Sequence, residues 1–304
     1  MYAAPPALDA QEFARLPDAF RKAEPTSEWH RHQPGKQPPH SLLEGPSFDA
    51  LGRLYCVDVP WGRVFRIDTQ GQFELIAEYD GEPNGLKIHQ DGRIFIADYA
   101  HGIVILDPET GGVQPLVERV HLERLKAVND LVFASNGDLY FTDQGLTGLN
   151  DPTGRVFRRR ADGRIDCLLD NIPSPNGLVL DPTETALYLA VTRANAIWRV
   201  PLTRDGGVAK VGTFIQMSGG GGPDGLAIDE EGNLAVAHVG LGAVWLFSNR
   251  GEPMLRINSP LGSLTTNIAF GGPERKVLYI TESESGTILT APMPVPGRIM
   301  YSGV

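Results

Sequence analysis

Short runs in which apolar and polar residues alternate, each closed by a turn, recur along most of the chain, and the same unit returns six times. Its opening is clear in Asn84-Gly-Leu-Lys-Ile, Asn129-Asp-Leu-Val-Phe, Asn176-Gly-Leu-Val-Leu and Asp224-Gly-Leu-Ala-Ile. Glu44-Gly-Pro-Ser-Phe-Asp and Thr266-Asn-Ile-Ala-Phe complete the set, and neighbouring openings lie 40 to 48 residues apart. A turn comes next (Asp91-Gly92, Asn136-Gly137, Glu231-Gly232), then a second run (RIFIAD, DLYFTD, NLAVAH). After a glycine comes a third (GIVILD, GRVFRR, GAVWLF). Xaa-Gly turns between period-2 runs predict hairpins. Helical periodicity is nearly absent, with a weak candidate only at residues 8–24. Three to four strands per unit, repeated six times, predict an all-β six-bladed β-propeller with four-stranded antiparallel blades around a central axis. The alternative is an all-β sandwich. Residues 44–304 are expected to form the single propeller domain. Residues 1–43, with Pro34, Pro38 and Pro39, are expected to form a Pro-rich segment wrapping it. Either that segment or the C-terminal GRIMYSG would supply the outer strand of the last blade.

In a propeller, equivalent residues of the six units form rings about the axis. The first ring is Glu44, Asn84, Asn129, Asn176, Asp224 and Thr266. Counting back through each turn, which sets Asn84 opposite Asp98, gives a second ring on the same face: Asp58, Asp98, Asp143, Thr192, His238 and Glu282. Asn and Asp are disfavoured in strands, so local structure does not ask for them, although either type also serves as a turn former. Crowding Glu44 and Asp224 at the axis is repulsive unless protons or a cation compensate. Carboxylate and amide oxygens with at most one histidine suit a hard cation, Ca²⁺ first and Mg²⁺ or Mn²⁺ next.

Composition narrows the rest. The 35 Gly and 24 Pro mark a chain that turns often, and 41% hydrophobic content excludes disorder. A net charge of −10 without a basic stripe argues against nucleic acid and anionic membrane partners. The start, MYAAPPALDAQ, has no signal-peptide character, and no apolar stretch is long enough to span a membrane. Cys56 and Cys167 read as buried thiols of a reducing, cytoplasmic compartment. Oligomeric state is not legible.

On these residues the chain resembles the senescence marker protein/gluconolactonase family of six-bladed propeller lactonases over residues ~40–304. The resemblance is carried by LEGPSFD, by Asn129-Asp130 followed by DLYFTD, by the PNG of Pro175-Asn176-Gly177, by PDGLAID at 223–229 and by TTNIAFGGPERKVLYITESESG. It implies one divalent metal ion held by Glu44, Asn176 and Asp224, calcium first with Mg²⁺, Mn²⁺ or Zn²⁺ as alternatives. Asn129 stands beside it as ligand or substrate contact. It also implies hydrolysis of a small-molecule cyclic ester, commonly a sugar lactone. The opening blade is similar to the drug-responsive lactonase branch, which carries an acid at the position of Asn129. Here the acid is Asp130, and strand alternation would turn it to the other face.

Polarisation of a lactone carbonyl by the cation and attack by water would follow from such a site. Asp224 is the first candidate for a combined ligand and base, with His238 second. Asn84 and Asn129 are candidates for hydrogen bonds to substrate. Trp61, Tyr99 and His101 are candidate rim residues, and loop 144–154 a candidate lid. His30-Arg31-His32 reads as a solvated loop. The alternatives are another propeller esterase or phosphotriesterase, and a non-catalytic binding propeller.

Overall fold

Six sheets fan out around a central axis in the computed structural model, which describes residues 3–22, 27–33 and 40–303. Each blade starts at the axis. The innermost strands are Leu43–Phe48, Pro83–Ile88, Val128–Phe133, Pro175–Leu180, Gly222–Ile228 and Thr265–Gly271. Their antiparallel neighbours are Leu54–Asp58, Ile94–Asp98, Leu139–Asp143, Ala186–Val191, Leu234–Val239 and Val277–Glu282. We number these blades 1 to 6 in chain order. The protein is a six-bladed β-propeller, as the repeat predicts.

Burial explains the composition of the runs. Each blade packs face to face on both neighbours, so the inner strands are covered on both faces, while an outer strand such as Phe73–Glu78 is half exposed. The core is six clusters, one per blade interface. Tyr55, Val57 and Val64 of blade 1 meet Leu86, Ile94 and Ile96 of blade 2, and the ring closes where Leu43, Phe48 and Leu54 meet Ile288 of blade 6. Burial of this kind contributes roughly 25 cal/mol per Å² of apolar surface.

The N-terminus closes that ring. Gln11–Arg15 pairs antiparallel with Thr287–Pro292 as the outer strand of blade 6, and Ala7–Asp9 adds a fifth, parallel strand to blade 5 along Pro253–Asn258. This corrects the weak helix expectation and decides between the two candidates for the outer strand of the last blade in favour of the N-terminal segment. Within the expected helix 8–24, the described residues 8–22 form strands and one 3₁₀ turn, Asp18–Phe20, because the open edges of blades 5 and 6 supply hydrogen-bond partners that outweigh local propensity. The C-terminal segment supplies no outer strand. It crosses the far end of the axis, where Arg298 donates to the Leu180 carbonyl at 3.0 Å and Tyr301 stacks on Phe133. The histidines read as loop lie in a short helix, Glu28–His32. Pro34, Pro38 and Pro39 lie outside the described residues.

Candidate functional site

One irregularity, repeated in every blade, builds the axial site. Between the first and second strands the register slips by one residue. Pro83 faces Asp98 and Leu86 faces Ile96, so Asn84 and Gly85 together oppose Ala97. The same bulge occurs in blades 3 to 6, and in blade 1 it falls one residue later, where Glu44 faces Val57 and Gly45 and Pro46 together oppose Cys56. A bulge bends its strand and re-aims the side chains on it. Here it delivers the six first-ring residues, all buried, to the N-terminal end of the inner strands.

The bulge also constrains the next position in each strand. The residue after the first-ring position is Gly45, Gly85, Gly177 or Gly225 in four blades, Asp130 in blade 3 and Asn267 in blade 6. The glycines are required by space. A Cβ on Gly85 would stand 2.5 Å from Asp130 Oδ1, and one on Gly225 would stand 2.1 Å from Asn267 Oδ1. Asp130 therefore faces inward, correcting the strand-alternation expectation. Lys87 Nζ lies 3.7 Å from its Oδ1. Asn267 hydrogen-bonds Asp130 and donates through Nδ2 to Glu44 Oε2 at 2.8 Å. Opposite blades are thus tied beneath the ring by Asp130, Asn267 and Lys87.

The second ring is not part of this site, because the bulge shifts its pairing by one. Asp58, Asp98, Asp143, His238 and Glu282 oppose Leu43, Pro83, Val128, Pro223 and Thr265, and in blade 4 the paired residue is Val191, with Thr192 one step beyond. Their carboxylate oxygens are spent on backbone N–H groups and on neighbouring side chains. Asp98 accepts from the N–H groups of Glu82, Ala100 and His101, Asp143 from Lys126 and Ala127, and Glu282 from Glu284 and Ser285. Asp58 accepts from Leu42 N–H and from buried Arg63. These residues pin the turns at blade ends. His238 Nε2 meets the Gly219 carbonyl at 2.9 Å, and the ring lines a separate surface groove with Met217 and Trp245. Trp61 packs between Lys22 and His30, and His101 Nε2 bonds the Asp80 carbonyl. Thr266 sends its hydroxyl to the Leu43 carbonyl at 2.9 Å, which leaves the axial role in blade 6 to Asn267.

At the axis, electrostatics and hydrogen bonds sort the remaining residues. Burial pushes the Glu44 carboxyl up to about 7, against the pull of Asn267 and of its own Gly45 N–H. Asp224 lies well above the usual carboxylate range, through burial first and the Glu44 charge second. The charge of Asp130 adds to the rise at Glu44, and buried carboxylates crowded in this way are what a bound cation relieves. Asn176 hydrogen-bonds Asp224. Asn129 donates both amide hydrogens, to Tyr99 Oη at 2.9 Å and Gln144 Oε1 at 3.0 Å, leaving Oδ1 as the atom it can offer. Tyr99 donates to the same Gln144 oxygen at 2.7 Å, and Gln144 Nε2 donates to Ser174 Oγ. Asn84 makes no side-chain hydrogen bond among the described residues. No three His, Cys, Asp or Glu side chains cluster as a metal site among the described residues, so a cation here would rest on two carboxylates completed by amide oxygens. That all-oxygen set fits a hard divalent ion.

Residues 42–284 match the model of the SMP-30/gluconolactonase/LRE-like region. The chain belongs to this family. Curated relatives include lactonase drp35 of Staphylococcus aureus, 34% identical over 230 residues that cover 72% of this chain and 70% of the relative. Lactonase drp35 of Staphylococcus saprophyticus is 32% identical over 228 residues, covering 72% and 70%. Among solved structures, a calcium-binding protein, regucalcin, from Agrobacterium tumefaciens superposes with TM-score 0.79 at 24% identity over 98% of each chain. A gluconolactonase from Xanthomonas campestris superposes with TM-score 0.75 at 23% identity, over 95% of this chain and 99% of its own. At such identities the two structures speak for the fold.

From sequence, Tyr99 is legible only as a rim aromatic, and Gln144 and Arg193 only as members of blade-end loops, whereas Lys87 gives no sign of a role. For Asn267 a signal existed: Asp130 and Asn267 are the only residues in the second bulge column of blades 2 to 6 that are not glycine. Gln144 and Arg193 lie just past strand ends, where periodicity carries no information. Cys167, read as buried, is exposed on blade 3, while Cys56 is buried in blade 1.

Proposed function

We propose that this protein is a divalent-metal-dependent lactonase that opens a sugar-type lactone by attack of water. The observation that supports it is the pairing of buried Glu44 and Asp224 at the open end of the axis, in a family whose curated relatives are lactonases. Glu44, Asn176 and Asp224 would hold the ion, with Asn129 Oδ1 beside them. An all-oxygen set favours Ca²⁺ over Zn²⁺, in keeping with the calcium-binding neighbour.

When bound, the ion supplies Lewis acidity for the carbonyl oxygen and lowers the pKa of water nearby. The chain supplies the rest. Gln144 and Tyr99 fix the Asn129 amide, so its carbonyl oxygen is oriented before substrate arrives. Asn84 carries an amide free to bond substrate oxygens. Asp224 is the group that takes the proton from the attacking water, while Asp130, held by Asn267 and Lys87, keeps negative charge under the site. His238, in its own groove, takes no part. Among the described residues no helix is long and apolar enough to cross a membrane. We assign the protein to the cytoplasm, and we take 44–304 as one propeller domain whose blades 5 and 6 are extended by residues 7–15.

A pH-stat assay of D-glucono-1,5-lactone, an aromatic lactone and a phosphotriester tests this. Lactone hydrolysis that is lost in EDTA and restored by CaCl₂ is expected. Undiminished activity in EDTA overturns the metal role, and turnover of the phosphotriester alone overturns the lactonase reading.

A further inference from the structure

Above the axial ring opens a cleft of about 640 Å³ between loop 144–150 and the end of the N-terminal helix. Its floor is continuous with the site through Gln144, which holds Asn129. The lining contains Arg193 and His32 and no Asp or Glu, in a chain whose net charge is −10. Amide and hydroxyl groups of Gln33, Gln144, Thr147, Asn150 and Ser174 provide the remaining polar side chains. A cleft of this kind is complementary to a polyhydroxylated ligand with a negative charge.

Arg193 is held ready for that charge. It sits in the 3₁₀ turn Thr192–Ala194, and the turn is fastened on both sides. The Thr192 N–H donates to the Ser174 carbonyl at 3.0 Å, and its Oγ1 donates to the Pro223 carbonyl at 2.8 Å. Ser174 lies two residues before Asn176, and Pro223 immediately precedes Asp224. The backbone carrying Arg193 is therefore fixed between two of the candidate ion-holding residues, and its charge reaches Asp224.

Its guanidinium is unspent. Arg63 and Arg155, which come after the second strands of blades 1 and 3, are consumed by Asp58 and Asp143. Blade 4 has Val191 and Thr192 in that place, and Arg193, which is exposed, makes no ion pair or hydrogen bond among the described residues. Arginine presents a planar fork suited to two-point binding of carboxylate or phosphate.

We propose that Arg193 selects lactones bearing an anionic substituent, a carboxylate or a phosphate ester, that enters the cleft while the ring carbonyl faces the axis. This rests on the lactonase reading and deepens it by naming the substrate class. Hydrolysis forms a bond from the water oxygen to the acyl carbon, breaks the ring acyl C–O bond and yields a hydroxy carboxylate and a proton, and the anionic substituent is unchanged.

Steady-state kinetics on D-glucono-1,5-lactone, D-glucaro-1,4-lactone and 6-phospho-D-glucono-1,5-lactone, with calcium present, separate the outcomes. For the natural chain, kcat/KM should be at least tenfold higher on one of the anionic lactones than on the neutral one, and which one identifies the substituent. Arg193→Gln should lower that ratio at least tenfold, chiefly through KM, and Arg193→Lys should restore part of it. A preference for the neutral lactone, or an anionic preference that survives Arg193→Gln, overturns the inference and leaves the lactonase reading standing. Calorimetric titration with D-glucarate and D-gluconate at one calcium concentration covers the case in which no lactone turns over. Tighter glucarate binding lost in Arg193→Gln would then uphold anion selection while the lactonase reading falls. Equal binding of the two acids, or binding indifferent to the substitution, would overturn the selection as well.

Discussion

Asn267 Nδ2 donates to Glu44 Oε2 at 2.8 Å across the seam where the last blade meets the first, joining residues 223 positions apart. The same amide bonds Asp130 of the opposite blade. The seam between the last and first blades and the axial site therefore share this side chain. Hydrogen bonds to charged groups contribute about 1.5–3 kcal/mol each. Asn267→Ala should lower the melting temperature by several degrees and weaken calcium binding about tenfold or more. Asn267→Asp, which sets a third carboxylate against Glu44, should be worse for the metal-free protein than for the calcium-loaded one. Thermal unfolding with EDTA and with CaCl₂ reads both. Equal losses in the two conditions would separate Asn267 from the site.

Metal-free protein should carry the cost of the Glu44 ionisation. Its folded carboxyl is pushed up to about 7, above an ordinary value near 4.5. A raised folded value means the stabilising contribution is complete below pH 4.5 and is lost as pH rises towards 7. In EDTA, stability should therefore fall across that window, and Glu44→Gln should flatten the fall. At pH 8 calcium should raise the melting temperature of the natural chain and leave that of Glu44→Gln and of Asp224→Asn nearly where it was. Urea midpoints across pH 4.5–8 are the measurement. A Glu44→Gln curve parallel to that of the natural chain would refute this account.

Blade architecture was legible because a hairpin turn and a period-2 run are local, and six copies leave little freedom for the fold. What strand counting misplaced was the pair of rings. Counting back from Asp91-Gly92 sets Asn84 opposite Asp98 only if the strands pair one to one, and a single extra residue per blade turns Asp98 to the turn-pinning side. That residue leaves no mark on hydrophobic periodicity. Its trace is compositional, in glycines crowded by a neighbouring backbone or by Asp130 and Asn267. Gln144 and Arg193 owe their places to tertiary contacts of loops, which a one-dimensional pattern does not encode.

The glycine column gives a direct test of the bulge. Gly225→Ala places a Cβ 2.1 Å from Asn267 Oδ1 and 2.6 Å from its Cα, with backbone that has no room to yield. Overpacking of this kind costs roughly 1–3 kcal/mol or more, so a large drop in urea midpoint is expected, together with weaker calcium binding through the displaced Asn267–Glu44 bond. Gly212→Ala is the control: nothing lies within 4 Å of its Cβ position, and stability should stay within about 0.5 kcal/mol of the natural chain. Similar effects for the two would disprove the packing described for the axis.

Asp130 distinguishes an inward from an outward side chain. Facing the other side of the strand, it could be exchanged for Asn with little effect on turnover. Buried beneath Glu44, 3.7 Å from Lys87 Nζ and bonded to Asn267, it contributes negative charge to the floor of the site. Asp130→Asn leaves Lys87 without its counter-ion and removes a charge that draws the cation in. We expect lactone turnover to fall at least tenfold and calcium affinity to fall with it, at unchanged far-ultraviolet circular dichroism. Lys87→Met in the same background should restore part of the calcium affinity by deleting the stranded ammonium. Turnover of Asp130→Asn within twofold of the natural chain would return the residue to the outward face and undo the bulge-based site.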